Sequence, residues 1–496
     1  MASYKHGVYT SETSTSLVPT TTVLSAVPFV VGTAPVNLAS EAKVNEPVLC
    51  YSYKEAASYF GFEAAKAGAG GLKRFAYSLS EFMYAAFTLY SVSPVIMVNV
   101  LDPVKHKSDA ETKTLTFDPK TGKATIKETG VIASTVTIAK NEDSSAYLAG
   151  TDYVTAFDDD GYLVISSLSE DSGTFKVQTG VELKVTASKI DPSKVTSADI
   201  IGGISTATGA KTGFELVADA YPKLGVIPTM LLAPGFSKDP EVAAVMSAKA
   251  LKINGLFNAM AIIDVDTAKC VKYSDVPAYK NSNSLAQEND IVCWPCVNLS
   301  GTIYSLSTHV AGVLAVTDGD RNGVPYVSPS NKSLSATGTC LAGGSEVVLG
   351  LEEANYLNGQ GIVTGLNFPG AWKVWGNRTG AYPSVTDPKD AFIPVKRMFY
   401  WVADTIITTI WQKVDEPGNK RLIDSVVDSL NVWLNSLAAR QQLLGGRIEF
   451  RDADNPTTDL MDGKYHFKVF ITPPSPAEDL EFDLEIDTGY YSTLFD

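Results

Sequence analysis

Histidine, cysteine and positive charge are all scarce in this chain, and each shortage excludes a class of function. The four histidines, His6, His106, His309 and His466, form no metal-ligand motif, and no G-x-S-x-G nucleophile elbow is present. The five cysteines, Cys50, Cys270, Cys293, Cys296 and Cys340, are odd in number and scattered, which is not a disulfide framework. Lys and Arg total 40 against 55 Asp and Glu, a formal charge of -15, so no broad basic face exists to wrap nucleic acid phosphates. No run reaches the roughly 18 apolar residues that a bilayer span needs. The opening MASYKHGVYTSETSTS has neither a hydrophobic core region nor a small-residue cleavage site, so it does not read as a secretory signal, which predicts synthesis in a cytoplasm.

What the chain does have is apolar mass: 45% of its 496 residues are hydrophobic, enough for large cores and for two to four domains. Up to about Thr22 it is rich in Ser and Thr and has little to bury, so it reads as an arm. Val23 to Val31 then reads as a buried strand stopped by Gly32 and Pro35. Leu79, Phe82, Met83, Ala86 and Tyr90 recur at helical spacing before the strand-like SPVIMVNVL, an α/β alternation. Between about Asp102 and Asp199 the period changes to two, in KTLTFD, KATIKE, STVTIAK, GYLVISS and TFKVQT, with no helix evident. That block reads as an all-β insertion, because helix and strand alternate again after it.

The last third predicts two helices and a pair of strands. In IPVKRMFYWVADTIITTIWQKV, Val395, Met398, Val402, Ile406 and Ile410 form one stripe, while Phe399, Tyr400, Trp401, Ile407 and Trp411 add apolar mass elsewhere. Such a helix must be covered on several sides. A second helix carries Ile423, Val426, Val427, Leu430, Leu434 and Leu437 and stops at Gly445 and Gly446; the strands RIEF and KYHFKVFITP follow. After the Pro-rich TPPSPAE, the residues Leu480, Phe482, Leu484 and Ile486 alternate strictly with Asp479, Glu481, Asp483, Glu485 and Asp487. This is a strand with one acidic face. It can close its own sheet or add to a neighbour's.

Candidate chemistry is thin. Cys293-Trp294-Pro295-Cys296 is a C-x-x-C, but Gly301 breaks any helix that would activate a thiolate, so buried structural thiols are expected. Asp318, Asp320, Asn322 and Gly323 begin a calcium-loop pattern whose twelfth position is Pro329, and a tight surface turn is the better reading. Gly209-Ala210-Lys211-Thr212 lacks the glycine before Lys that a phosphate cradle uses. His309, before a small apolar run, reads as a core or interface residue.

Four segments carry a resemblance: HGVYTSETSTSLVPTTTVLSAVPFVVGTAP; STHVAGVLAVTDGDRNGVPYVSPSN; LNGQGIVTGLNFPGAWKVWGNRT; and GGRIEFRDADNPTTDLMDGKYHFKVFITPPSPAEDLEFDLEID. Together they resemble the contractile tail sheath family of myovirus-type phages and R-type bacteriocins. The match covers roughly the first 35 residues and about 305 to 490, with the W-G-x-R-T and P-A-E segments the most specific. The fold class it implies is α+β and multidomain, with α/β inner and middle domains, an all-β outer insertion and extended N- and C-terminal arms. The expected limits are 1–22 for the first arm, 23–103 with 200–350 for the middle domain and 104–199 for the insertion. The inner domain would occupy 351–476 and the second arm 477–496.

By that resemblance the chain is a structural subunit without cofactor or metal. Its partners are other copies of itself in six-fold rings, an inner tail tube protein, and baseplate and terminator proteins, with no nucleic acid and no membrane insertion. It would be assembled in a bacterial host cytoplasm and reside in a virion or bacteriocin tail. Strand exchange is assigned to arms carrying Val8, Tyr9, Thr10 and Leu17 at one end and Phe482, Leu484, Ile486, Tyr490 and Tyr491 at the other. Lys413, Lys420, Arg421, Arg440 and Arg447 are candidates to face the tube, or else are solvated helix ends. Arg378 and Asn377 are expected to fix the inner domain. Two rival readings are a multidomain α/β enzyme using the Cys293 and Cys296 pair or the surroundings of His309, and a β-rich surface adhesin.

Overall fold

A computed structural model describes residues 19–68, 71–140, 145–170, 172–368 and 370–494. Its centre is an eight-stranded sheet. In spatial order the strands are Val48–Cys50, Val95–Asn99, Pro28–Gly32, Met230–Leu232, Met260–Asp264, Asp290–Cys293, Ile362–Asn367 and Trp372–Trp375. The six inner strands run parallel and the two outermost pair antiparallel. A parallel sheet is covered on both faces, so its strands read as unbroken apolar runs. PFVVG, VIMVN and MLL are buried at every position, as that rule requires.

Helices cross between these strands. Pro240–Lys249 links two of them, begun by Pro240 and by the Asp239 carboxylate, which accepts from the Glu241 amide. Leu306–Gly319 is buried along most of its length. Gly312 permits its close approach to Tyr90, since a Cβ there would stand 2.4 Å from the ring.

Between Glu111 and Ala187 the described elements are strands, apart from one short helical turn at Ala133–Thr135. Glu111–Thr116, Glu182–Ala187, Thr137–Ala139 and Ala146–Tyr147 make one small sheet, and Tyr153–Phe157, Leu163–Ser167 and Lys123–Ile126 another. They enclose a separate core around Phe117, Ile138, Leu163, Ile165 and Leu183. The chain enters and leaves through a narrow neck, where His106 O accepts from Asp191 N at 2.9 Å and Lys107 bridges Ile190.

The C-terminal region has a third core. Helix Ile393–Ile410 gives Met398, Trp401 and Val402 to it, and helix Lys420–Ala439 gives Val426, Leu430, Trp433, Leu434 and Leu437. The first helix also packs Ile393, Tyr400 and Ile407 against the core of the large sheet, which explains why it is apolar on several faces. One expected boundary moves. Val292 pairs with Ile362 and Thr364 with Trp375, so residues 362–375 complete the central sheet, and a unit beginning at 351 would cut through it. The separate C-terminal core is built mainly from helix 393–410 onward, with Val324 added from just after helix Leu306–Gly319.

Candidate assembly site

Gly445–Phe450 and Phe467–Thr472 form an antiparallel pair that no other strand joins among the described residues. Arg447 lies opposite Phe470, Ile448 opposite Val469, and Glu449 opposite Lys468. Side chains alternate across a strand, so Arg447, Glu449, Lys468 and Phe470 share one face. Phe467, Val469, Ile471 and Ile448 share the other, toward helix 420–439. Ile448 is buried there, but Val469, nearer the rim, is 38% exposed. The helix is too narrow to cover both strands.

The two rims of this hairpin differ. The Asn431 side chain accepts from Ile448 N at 2.8 Å and donates to Ile448 O at 3.0 Å. These backbone groups therefore point away from the partner strand, and Asn431 occupies that rim at its midpoint. In an antiparallel ladder opposite residues share one bonding state. The backbone groups of Val469, and of Phe467 and Ile471 two residues away, consequently point out of the opposite rim, where a further strand could pair.

Both chain extensions start close to helix 393–410. Thr21 N donates to Thr409 Oγ1 at 3.0 Å, and Trp401 Nε1 donates to Val23 O at 2.9 Å. Ser25 Oγ donates to Asp318 Oδ2 at 2.8 Å, and Arg397 binds both that carboxylate and Ser25 O, a fully buried junction of three distant chain segments. At the other end of the helix, Arg378 stacks 3.8 Å from the Phe392 ring centroid and 4.4 Å from that of Tyr382. Its guanidinium grips Glu478 through both terminal oxygens, one contact at 3.1 Å. The W-G-N-R-T and P-A-E segments thus meet, and the C-terminal extension is pinned at Glu478.

Beyond that pin the extension has no cover. Residues 473–487 form no strand in their own chain, and Leu480, Phe482, Leu484 and Ile486 are 71 to 97% exposed. Tyr490 and Tyr491, in the short helical turn Thr488–Leu494, are exposed as well. Of the two fates open to this segment, closing its own sheet does not occur. Val8, Tyr9, Thr10 and Leu17 lie outside the described residues.

No protein-family model matches the chain. It is 30% identical, over 501 residues and 99% of both chains, to the tail sheath protein of Burkholderia phage BcepMu. The chain belongs to the tail sheath protein family. It is also 27% identical over 312 residues to the major tail sheath protein of Serratia phage KSP20, across 62% of this chain and 75% of that one. Two solved structures share its fold. One is the sheath complex of an extracellular contractile injection system, PVC, in the contracted state, with a TM-score of 0.58, 14% identity and 99% of both chains covered. The other is the contracted helical sheath of the anti-feeding prophage, with a TM-score of 0.57, 15% identity and 98% and 100% covered. As a member of the tail sheath protein family, the chain is a structural protein and not an enzyme.

The remaining candidates fit a sheath subunit's architecture. Cys293 ends one strand and Cys296 begins another, and burial pushes both thiols well above their ordinary range. No thiolate is available to attack. His309 is buried between Tyr90 and Tyr304, with Nδ1 2.9 Å from Tyr90 Oη, and desolvation lowers it to about 3. It stays neutral and fills a core. Asp318 corrects the expected surface turn: Asp320 and Asn322 are exposed, but Asp318 is the buried partner of Arg397.

The five cations do not gather into one patch. Lys413 pairs with Glu416 and Lys420 with Asp424, near Arg421 at the start of helix 420–439. Arg440 lies at its far end, about 30 Å away at 1.5 Å per residue, and donates to Gln442. Arg447 is on the hairpin. Sequence reasoning missed Asn431, whose role depends on a strand rim 17 residues away, and the Asp318–Arg397 pair, 79 residues apart.

Proposed function

We propose that this sheath subunit polymerises as stacked six-fold rings around an inner tail tube, by exchanging strands through its terminal arms. Contraction then drives the tube through a bacterial envelope. The observation that carries this reading is the pairing of two unfinished surfaces in one chain: an apolar row at Leu480, Phe482, Leu484 and Ile486 without cover, and a two-stranded sheet with one open rim. Each would complete the other in a neighbouring copy, through main-chain hydrogen bonds. Because donor and acceptor are different surfaces, the contact is heterologous and propagates into a helical array.

In this reading the region of helices 393–410 and 420–439 is the inner unit, the large sheet is the middle one and the all-β block lies outermost. Val8, Tyr9, Thr10 and Leu17 belong to the N-terminal arm, 1–22. Lys413, Lys420, Arg421, Arg440 and Arg447 remain candidates to face the tube protein. Baseplate and terminator proteins bound the array at its ends, and assembly takes place in the host cytoplasm. No nucleotide is needed: the extended array is metastable, and contraction gains interface between subunits that move as rigid bodies. Arms anchored at Glu478 and Thr21 would tether subunits while they rotate.

Negative-stain electron microscopy of the purified chain, with an inner tube present as nucleus, tests the proposal. The full chain should form hollow tubes, while chains lacking 1–20 or 477–496 should stay folded and unassembled. Tubes formed by either truncated chain would remove that arm from the mechanism.

A further inference from the structure

The five cysteines are scattered along the sequence, but the fold brings two of them face to face. Strand Cys296–Leu299 pairs antiparallel with strand Gly338–Cys340, and the register sets Cys296 directly opposite Cys340. Opposite residues of an antiparallel pair project from the same face, with Cα atoms about 4.5–5.5 Å apart. That lies inside the roughly 4.4–6.8 Å that a disulfide spans. Both thiols are free. Cys293, the other half of the C-x-x-C, lies instead in the central sheet opposite Asp264.

The pair also has an entrance. Cys296 is partly exposed and lines a cavity of about 300 Å³, whose wall includes Arg74, Thr267, Tyr304 and Ala342. Cys340 is 1% exposed, so a small reagent meets Cys296 first. Burial raises both thiols, Cys296 the further. Cys340 rises to about 11, where the Arg74 guanidinium offsets part of the effect, which makes it the better nucleophile for a second step.

We propose that Cys296 and Cys340 form a modification site, a thiol pair that a small-molecule disulfide converts into a cross-strand bridge. The Cys296 thiolate attacks one sulfur of the reagent, leaving a mixed disulfide on Cys296 and releasing one reagent thiolate. The Cys340 thiolate then attacks Cys296 Sγ and expels the second. Each released thiolate takes up one of the two protons that the cysteines gave up. The protein pair loses two electrons, and the reagent gains them as two thiols. At neutral pH nearly all of both cysteines is protonated, so the bridge forms slowly, and about tenfold faster for each pH unit gained. Once formed it persists, because nothing in the site stabilises an ionised, reduced pair. It would close a loop of about 45 residues that carries helix Leu306–Gly319 and Asp318, the buried partner of Arg397. A reducing cytoplasm keeps such a pair as thiols, and an oxidising medium does not. A subunit assembled inside a cell and acting outside it would pass from one to the other, a consequence that rests on the function proposed above, whereas the chemistry does not.

The test treats the full-length chain with bis(2-hydroxyethyl) disulfide at about pH 8.5 and counts thiols after denaturation. Three of the five should remain, and peptide mapping should join Cys296 to Cys340. The reaction should be about tenfold slower at about pH 7.5. Cys340→Ser should stop at the mixed disulfide on Cys296, while Cys293→Ser should still form the bridge; thermal melting checks that each variant is folded. Five thiols surviving in the folded wild-type chain, a wild-type chain that stops at the mixed disulfide, or a bridge mapping to Cys293 and Cys296 would each overturn the proposal. A rise of a few degrees in melting temperature on oxidation, reversed by dithiothreitol, would support the bridge as a staple of this region, and no rise would overturn that role.

Discussion

The central sheet and the C-terminal hairpin are both β-structure, yet one is finished by its own chain and the other is not. The sheet has six parallel strands with both faces covered, and its rims are closed by short antiparallel strands at 48–50 and 372–375. The hairpin has two strands, one helix against one face, a rim occupied by Asn431 and a rim left open. Two strands alone are marginal in water, and an open rim invites pairing with another chain. Natural proteins usually blunt such rims. Under the proposed strand exchange, leaving this rim open beside an uncovered apolar arm makes folding and assembly separable: the large sheet stabilises the subunit, and a second copy would complete the hairpin.

The largest effect that would test this contrast is on assembly alone. Removing 477–496 should reduce polymer by more than about a hundredfold, the scale of losing four buried apolar side chains at about 1.5–3 kcal/mol each, after ordering costs. Melting of the isolated subunit should hardly change, because those side chains are exposed in it. A large drop in melting temperature would mean that the arm already supports its own subunit, and the contrast would break.

The next effect falls on the junction between the two regions. Arg397 and Asp318 are almost fully buried, and Ser25 completes their hydrogen bonding. Arg397→Met leaves a buried carboxylate without its cation and should cost about 3–5 kcal/mol in denaturant unfolding. Replacing both members, as in Arg397→Met with Asp318→Leu, should recover much of that loss. If the single variant costs under about 1 kcal/mol, the pair is not what holds the C-terminal region to the sheet.

Much of this organisation was legible from periodicity. Unbroken apolar runs gave the inner strands, a period of two gave the all-β block, and a stripe with extra apolar faces gave helix 393–410 its two-sided burial. Less legible were features set by distant pairing. Residues 362–375 fall inside the unit expected from 351, yet their hydrogen bonds complete a sheet begun at Pro28. Asp318 sits among turn residues and looked exposed because its partner is 79 residues away. The arm's alternation of apolar and acidic residues was readable, but not its anchor, since nothing local links Glu478 to Arg378.

Taken per pH unit, the next effect is smaller. Asp404, on helix 393–410, is buried beside Tyr400, and its Oδ1 has no hydrogen-bond partner. Burial raises it from 3.8 to about 8, partly offset by the Asn258 backbone amide. The folded chain thus keeps this proton up to about pH 8, whereas the unfolded chain releases it near pH 4. Between those limits the unfolded state binds fewer protons, so stability falls as pH rises, by up to about 1.4 kcal/mol per pH unit, and levels off above about 8. Asp404→Asn should remove that slope: equal to wild type near pH 4 in urea unfolding and more stable at pH 8. Parallel pH profiles for the two proteins would show that Asp404 is ionised in the fold.

The smallest effect should come from the all-β block, and its smallness is the informative part. Its core around Phe117 and Leu163 is its own, and the neck at His106–Asp191 brings entry and exit together. A short Gly-Ser linker replacing 108–188 spans a gap already closed by the Lys107–Ile190 bridge, so loop closure adds little. The block is tied to the rest of the chain by few contacts: Ile132, which packs into the core of the large sheet, the Ile190 N–H to Gly130 O hydrogen bond at 2.8 Å, and outer ones such as Asn37 Nδ2 to Val131 O at 3.3 Å and Lys66 Nζ to Thr129 Oγ1 at 3.2 Å. The shortened subunit should therefore melt within a few degrees of the full chain, a change of about 1 kcal/mol or less. It should also form tubes in the same amount, because neither the hairpin rim nor the arm is touched. Tubes of reduced diameter and unchanged yield would place the block outside the lattice contacts; loss of tubes from a well-folded shortened chain would mean that a third surface, and not the hairpin and arm alone, holds the array together.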